Sequence, residues 1–231
     1  MKNKITPLFE KYGFLIYKAK NTVKVLILGV AMTAAITANT QALEPIKLSK
    51  PNLKSGKSMM ESFQERRSER EFSSKDLSIE DISNLLWATN GINRADGRRT
   101  APTARNMQEI DVYLIDKNGA YLYVPAEDLL QPVYSGDLRE AFAAGQNFVT
   151  TAQIILLIVG DTDRIGTVNE RNVKMMWADG GYVSQNINLF CAAHNLATVP
   201  RAMMDEKPIR EALKLKDSQI LLLNNPVGYR K

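Results

Sequence analysis

The chain has 231 residues, of which 30 are basic and 25 acidic, for a formal net charge of +5. The basic excess lies in the first 42 residues, which hold one acidic residue and six lysines, leaving 24 residues of each sign in the rest. A net-neutral remainder gives no electrostatic reason to bind nucleic acid, and we exclude that class of partner. With one cysteine and one histidine, the chain has no intrachain disulfide, and neither a His-rich metal site nor a Ser-His-Asp triad is expected.

Residues 1–42 predict a signal peptide. The lysine-rich segment is followed by an uncharged apolar run, Val25–Ala38, and then by the small residues Thr40 and Ala42 at the expected cleavage site. The run is shorter than the roughly 20 residues that span a membrane. We therefore expect a periplasmic or extracellular protein, with an uncleaved N-terminal anchor as the alternative because the basic segment is long. An extended, poorly fixed lead-in over residues 43–56 and one domain over residues 57–231 should follow.

The first half of that domain predicts helices and a hairpin. Residues 57–67 have helical character, and Ser78 is typical of an N-cap for an amphipathic helix that ends at Asn90-Gly91. A turn-rich stretch follows, with a short helical turn after Pro102. The segments IDVYLI and AYLYV flank DKNG, which predicts a β-hairpin.

The second half predicts a buried strand among helices. A short helix is expected over residues 137–144, and the apolar run QIILLIVG predicts a buried strand. A long helix over residues 171–194, a short strand, a helix over residues 205–213 and a final strand, QILLLNNPVGY, complete the chain. This order indicates an α+β domain with a mixed central sheet covered by helices.

The long predicted helix carries an unusual glycine pair, the single cysteine and the single histidine. Gly180-Gly181 lies near its centre, where each glycine costs roughly 1 kcal/mol relative to alanine. Either a buried intrachain contact or a tight helix–helix dimer seam would compensate. Cys191, in an apolar stretch, is expected in the core and not as a nucleophile, and His194 is expected as an ordinary polar residue near the helix end.

Candidate chemistry lies in four separate segments. None has the glycine spacing of a Walker A or Rossmann loop, so a bound phosphate would be held by side chains. The segment QERRSEREF is the clearest candidate, because arginine donates two parallel hydrogen bonds to phosphate oxygens. It predicts an anion cradle with Glu65 and Glu69 facing solvent, or alternatively a solvated charged turn. The four segments are RRSER (Arg66–Arg70), APTARNMQ (Ala101–Gln108), ATVPRAMMD (Ala197–Asp205) and NPVGYRK (Asn225–Lys231).

Together these segments resemble the nitroreductase family of FMN-dependent flavoenzymes, over about Met59 to Gly228. RRSER followed by Phe72 is similar to the family's RRSxRxF motif, and PTARNMQ is similar to its P-S-x-x-N-x-Q turn. LSIEDISNLLWATNGIN resembles a helix of the branch that includes azoline oxidases. TVPRAMMD is similar to the segment beside the flavin, and PVGYR to the final strand.

The resemblance implies a three-layer fold, a domain-entwined homodimer and FMN at the subunit interface. It also implies a role for each matching position. The phosphate, ribityl chain and pyrimidine edge would be held by Arg66, Arg67, Ser68 and Arg70, with Arg230 and Lys231 as further phosphate ligands. Contacts from the other subunit would come from Thr103, Ala104 and Asn106. The ring would be lined by Pro200, Arg201, Ala202 and Met203, with a backbone N–H near Met203 donating to flavin N5.

The implied activity is hydride transfer from NAD(P)H or another donor to a nitroaromatic, a quinone or a similar acceptor, with no obligatory catalytic side chain and no metal. Some positions depart from the family pattern. Glu109-Ile110 replaces a common Pro-Trp, Ala202 replaces Glu or Gly, and Lys174-Met175 replaces the Lys-Tyr pair of azoline oxidases. Two alternatives are a flavin-binding protein without turnover and an anion- or peptide-binding module without flavin.

Overall fold

A seven-stranded sheet forms the centre of the fold. In this computed structural model, which describes residues 42–231, the strand order is β1-β4-β3-β2-β5-β7-β6, and the pairings among these strands are antiparallel. The α+β class is confirmed, but the expected mixed pairing is wrong. Short turns join β2, β3 and β4 and reverse the chain each time, and β7 runs opposite to both of its neighbours. The strands are β1 (Ile46–Lys47), β2 (Ile110–Ile115), β3 (Gly119–Val124), β4 (Leu129–Ser135), β5 (Ile154–Asp161), β6 (Leu196–Thr198) and β7 (Gln219–Tyr229).

Within residues 42–231, five α-helices cover this sheet, and their ends follow the predicted signals. Ser58 caps the first helix with a reciprocal capping box, and the Asp81 N–H donates to Ser78 Oγ at 3.0 Å at the start of the second. The predicted helices are confirmed to within about two residues at most ends, which is the usual uncertainty of helix boundaries. The helices are α1 (Met59–Glu65), α2 (Ile79–Asn90), α3 (Arg139–Ala143), α4 (Glu170–Ala193) and α5 (Glu206–Leu213).

Strand β5 shows why the fold has three layers. Its side chains alternate between two apolar clusters, so both of its faces are buried. Ile154, Leu156 and Ile158 pack on the side of α2 and α4. The intervening residues pack on the side of α3 and α5. The predicted arrangement of helices on both faces of a central sheet is confirmed.

The lead-in, which the sequence predicts to be poorly fixed, is held in place by the rest of the domain. Ile46 pairs with Leu130, and the Ser49 N–H donates to Ser83 Oγ at 3.0 Å. Strand β4, its partner, was not predicted. Pro132 normally argues against an interior strand, and here the ladder shifts register beside it, which accommodates the missing donor.

The two glycines of α4 have different surroundings. A Cβ added to Gly180 would lie 2.7 Å from Leu222 Cδ1, whereas one added to Gly181 would meet nothing within 4 Å. The intrachain contact therefore explains Gly180. Gly181 faces open space, and Trp177 and Tyr182 are exposed beside it, so the dimer seam stays a prediction for this second position.

The single cysteine and the single histidine both take part in packing. Cys191 is buried, which raises the pKa of its thiol, and its expected place in the core is confirmed. His194 follows α4, stacks on Phe190 with ring centroids 3.9 Å apart, and its Nε2 lies 3.1 Å from Ser55 Oγ. It ties the end of α4 to the lead-in.

Between residues 42 and 231, no helix combines the length and the apolar character needed to cross a bilayer. The predicted signal peptide lies almost entirely in residues 1–41, which are outside the described residues.

Candidate functional site

Backbone hydrogen bonds fix the arginine-rich turn at the end of α1. The Arg66 N–H donates to Ser62 O at 2.9 Å and ends the helix, and the Glu69 N–H donates to Thr198 O of β6 at 2.9 Å. Phe72, buried just beyond, forms a bridge with Arg230. The side chains of the turn are therefore presented from an anchored backbone. Those of Arg66, Arg67, Ser68 and Arg70 are exposed.

The acidic residues of this turn do not both face solvent. Glu69 points inward, where its carboxylate pairs with Arg67 and lies 2.9 Å from Arg230 Nε, without the alignment of a hydrogen bond. The prediction of a solvated Glu69 is wrong, because Arg230, distant in sequence, approaches it. Within residues 42–231, Arg66 and Arg70 have no carboxylate within 4.0 Å. They are the two cations of the turn that remain available to an external anion.

Arg201 is a buried cation whose partners among residues 42–231 are all neutral. It is 7% exposed, and burial, followed by the charge of Arg70, lowers the pKa of its guanidinium. The side chain thus fixes the loop at residues 200–203 instead of projecting from it. Its guanidinium donates to Gln146 Oε1 at 2.9 Å, Phe142 O at 2.8 Å, Asn224 Oδ1 at 2.8 Å and Ala143 O at 3.1 Å.

Phe148 joins the arginine-rich turn to this loop. The guanidinium carbons of Arg70 and Arg201 lie 5.9 and 5.7 Å from its ring centroid, within the range of cation–π attraction. Neither Phe148 nor Gln146, which also contacts Met203 Sδ at 3.4 Å, was predicted as a site residue. The polar segment around them carries no sequence signal, because their role depends on contacts across the fold.

The loop at residues 200–203 presents an uncharged surface. Pro200, Ala202 and Met203 are exposed, and Met203 O accepts from Asn224 Nδ2 at 3.1 Å, which fixes the backbone there. A hollow of about 320 Å³ lies beside the arginine-rich turn. It is lined by Arg67, Glu69, Arg70, Glu71, Arg230 and Lys231.

The second predicted contact region is a left-handed turn packed on α4. The Ala104 N–H donates to Asp179 Oδ2 at 2.8 Å, and the Gln108 N–H donates to Thr103 Oγ1 at 3.0 Å. Arg105, Asn106 and Gln108 all have positive φ, between 52° and 56°, which side-chain-bearing residues rarely adopt. The Asn106 side chain is held by Gln108 Nε2 at 3.2 Å and is exposed.

The structure brings together only part of the predicted site. The arginine-rich turn, the loop at residues 200–203 and Arg230 form one group. The turn at Thr103–Asn106 belongs to another group, with no hydrogen bond or ion pair between the two in the described residues. From Asp179, which holds Ala104, to Ala193 the helix rises about 21 Å, and Arg230 contacts Asn195 just beyond at 3.2 Å.

Comparison with known proteins assigns the family. Residues 63–229 match the family model of the Nitroreductase family, so the chain belongs to this family of oxidoreductases. A protein of Methanocaldococcus jannaschii named as a nitroreductase is 28% identical over 175 residues, which cover 71% of this chain and 87% of the relative. A crystal structure of a nitroreductase from Ralstonia eutropha JMP134 is 30% identical, covers 83% of this chain and 91% of that one, and superposes with a TM-score of 0.76.

A second solved structure, of a flavin complex, shares the fold. A nitroreductase from Desulfovibrio desulfuricans was solved in complex with FMN; it is 19% identical, covers 76% of this chain and 88% of that one, and has a TM-score of 0.56. At that identity the likeness concerns the fold. The predicted family and layered fold are thus confirmed for this chain.

Proposed function

We propose that the protein is an FMN-dependent oxidoreductase that passes hydride from NAD(P)H or another donor, through flavin N5, to a nitroaromatic, quinone or similar acceptor. The observation that carries the proposal is the pair of exposed arginines, Arg66 and Arg70, on an anchored turn beside an uncharged loop. FMN, when bound, supplies the redox chemistry, and the protein supplies binding and orientation.

The described residues fit the FMN phosphate. A phosphate dianion needs cations that are not already neutralised, and Arg66 and Arg70 meet that condition. Arg201 adds a buried positive charge with neutral partners only, which raises the local positive potential. Ser68 adds an exposed hydroxyl, while Arg67 and Arg230 are partly neutralised by Glu69 and would contribute less. Pro200, Ala202 and Met203 offer an uncharged surface for the ring.

The proposal includes a homodimer. Since the Thr103–Asn106 turn lies about 21 Å along α4 from the arginine-rich group, its contact with the same flavin requires a second copy of the chain. The exposed side chains of Met175, Trp177 and Tyr182 around Gly181 provide an apolar face for such a partner. We also place the protein outside the cytoplasm, on the signal-peptide pattern of residues 1–42.

Azoline oxidation is not part of the proposal. Lys174 pairs with Glu170 on an exposed face of α4, and Met175 follows it. The chain has no tyrosine at that position to complete a Lys-Tyr pair.

The test is flavin binding followed by reduction. The purified full chain is titrated with FMN, and flavin fluorescence and absorbance are measured before and after anaerobic addition of NADH or NADPH. Arg66→Ala/Arg70→Ala should weaken FMN binding by about 100-fold or more, because each charge-assisted bond contributes about 1.5–3 kcal/mol. Arg94→Ala/Arg98→Ala, on an exposed loop, is the matched control and should bind normally.

Three outcomes decide between the candidate functions. Binding followed by bleaching of the flavin supports the oxidoreductase. Binding without reduction by either nucleotide indicates a different donor or a flavin-binding protein without turnover, and dithionite-reduced protein offered a quinone separates the two. A wild-type chain that binds no FMN refutes the proposal.

A further inference from the structure

Two buried carboxyl groups lie behind the turn at Thr103–Gln108. Glu109, just before β2, is 1% exposed, and Asp179, on α4, is 2% exposed. Asp179 Oδ2 accepts the Ala104 N–H at 2.8 Å, whereas Glu109 Oε2 has no partner in the described residues when both groups are ionised. The Asp179 side chain lies within hydrogen-bonding reach of the Glu109 carboxyl. A bond between them can form only if one of the two carries a proton, because two carboxylates have no hydrogen to share.

Glu109 is the group that carries this proton. Burial, and then the hydrogen bond and charge of Asp179, raise the pKa of Glu109 from 4.5 to about 7. It therefore changes its charge near neutral pH.

The surrounding charged groups do not neutralise Glu109 in its ionised form. Arg164 is the cation that faces Glu109 most directly, but it also donates to Gln108 O at 3.0 Å and pairs with Asp111 and Asp161. Two further charged residues, Arg105 and Arg171, are exposed and line a cavity of about 510 Å³ that Glu109 also lines. This cavity gives the carboxyl a route for proton exchange.

The turn itself is under backbone strain. Three of its residues, Arg105, Asn106 and Gln108, are left-handed, and such conformations persist only where surrounding contacts impose them. The backbone of the turn is held from other elements by the Asp179–Ala104 and Arg164–Gln108 hydrogen bonds, and the Gln108 side chain is held by Arg99 Nε and Gly97 O. Weakening the first of these would allow the turn to relax.

We propose that Glu109 and Asp179 form a proton-dependent latch for the turn at Thr103–Gln108. One shared proton holds the two carboxyls together and keeps Asp179 bonded to the Ala104 N–H. Loss of the proton leaves two buried carboxylates that repel each other. This repulsion weakens the bond from Asp179 to the Ala104 N–H and releases the turn. The consequence for flavin affinity rests on the proposed function, in which this turn contacts FMN of the partner copy; the latch itself does not.

The test uses the full chain without FMN. Amide hydrogen exchange of Ala104, corrected for its intrinsic pH dependence, should lose about tenfold of its protection between pH 6 and 8, as expected for a group that titrates near 7. Glu109→Gln keeps a neutral donor to Asp179 and should show constant protection. Glu127→Gln, an exposed carboxylate on another turn, should keep the wild-type profile.

A direct titration of the wild-type chain tests the latch even if Glu109→Gln fails to fold. The Glu109 carboxyl of the wild-type chain, followed by carbon NMR, should titrate near pH 7. A midpoint near the ordinary value of about 4.3, or equal pH profiles for wild type and Glu109→Gln, overturns the latch. If the latch holds and FMN does not bind, only the proposed function fails. If both hold, FMN affinity should fall over the same pH range in wild type but not in Glu109→Gln.

Discussion

Replacement of Arg201 by methionine should destabilise the chain strongly, even without a cofactor. The guanidinium donates to two backbone carbonyls, Phe142 O and Ala143 O, and to the side chains of Asn224 and Gln146. Methionine fills similar space but leaves Phe142 O and Asn224 Oδ1 without the arginine donor, whereas Ala143 O keeps the Gln146 N–H at 2.8 Å. Each buried, unpaired neutral acceptor costs about 1–3 kcal/mol.

The expected net loss is smaller than the sum of these costs. Gln146 is only half-buried and can return to water, and the variant no longer buries a charge, whose desolvation costs several kcal/mol. We therefore expect the free energy of unfolding to fall by about 2–4 kcal/mol. Arg201→Lys, which keeps the charge but not the planar fork, should give an intermediate loss.

Urea unfolding followed by circular dichroism measures this loss. Arg98→Met, an exposed position, is the matched control and should change stability by less than about 0.5 kcal/mol. A loss below about 1 kcal/mol for Arg201→Met would show that the four hydrogen bonds do not hold the loop at residues 200–203. In that case Arg201 would be free to serve the cofactor directly.

Three further predictions concern charge, pH and packing. Glu69→Gln should tighten FMN binding roughly threefold to tenfold by freeing its two arginine partners; weaker binding in the same titration would show that Glu69 orients them. The raised pKa of Glu109 means that the folded state alone holds its proton between about pH 4.5 and 7. Stability should therefore fall by up to about 3 kcal/mol as pH rises through that range, more than in Glu109→Gln. Gly180→Ala should cost about 1–3 kcal/mol through its contact with Leu222, whereas Gly181→Ala should spare the monomer and weaken dimers in sedimentation; an equal loss of stability in both variants would contradict this.

Local signals made much of the fold predictable from the sequence. The DKNG turn between two alternating segments predicted the β2–β3 hairpin, and Ser78 predicted the start of α2. Strand β4 was missed, because Pro132 argues against a strand unless the irregular register opposite it is known. The antiparallel pairing of β7 with two neighbours also depends on the path of the whole chain, which no local pattern records.

Some residues of the candidate site could also be predicted from local sequence, and others could not. The chemistry of clustered arginines identified Arg66 and Arg70, and neither has a carboxylate partner in the part of the chain that the structure describes. The inward turn of Glu69 could not be predicted, since it depends on Arg230 at the other end of the chain. The buried state of Arg201 and the place of Phe148 depend equally on contacts between distant segments.

The separation of the two residue groups along α4 has a genetic consequence. In the proposed dimer, each flavin site takes its arginines from one subunit and its Thr103–Asn106 turn from the other. A subunit altered at Arg66 and Arg70 and a subunit altered at Asn106 would each be inactive alone. A mixed dimer would combine both alterations in one site and leave the other site intact. Two inactivating alleles of this gene, one in each group, should therefore complement each other when expressed in the same cell.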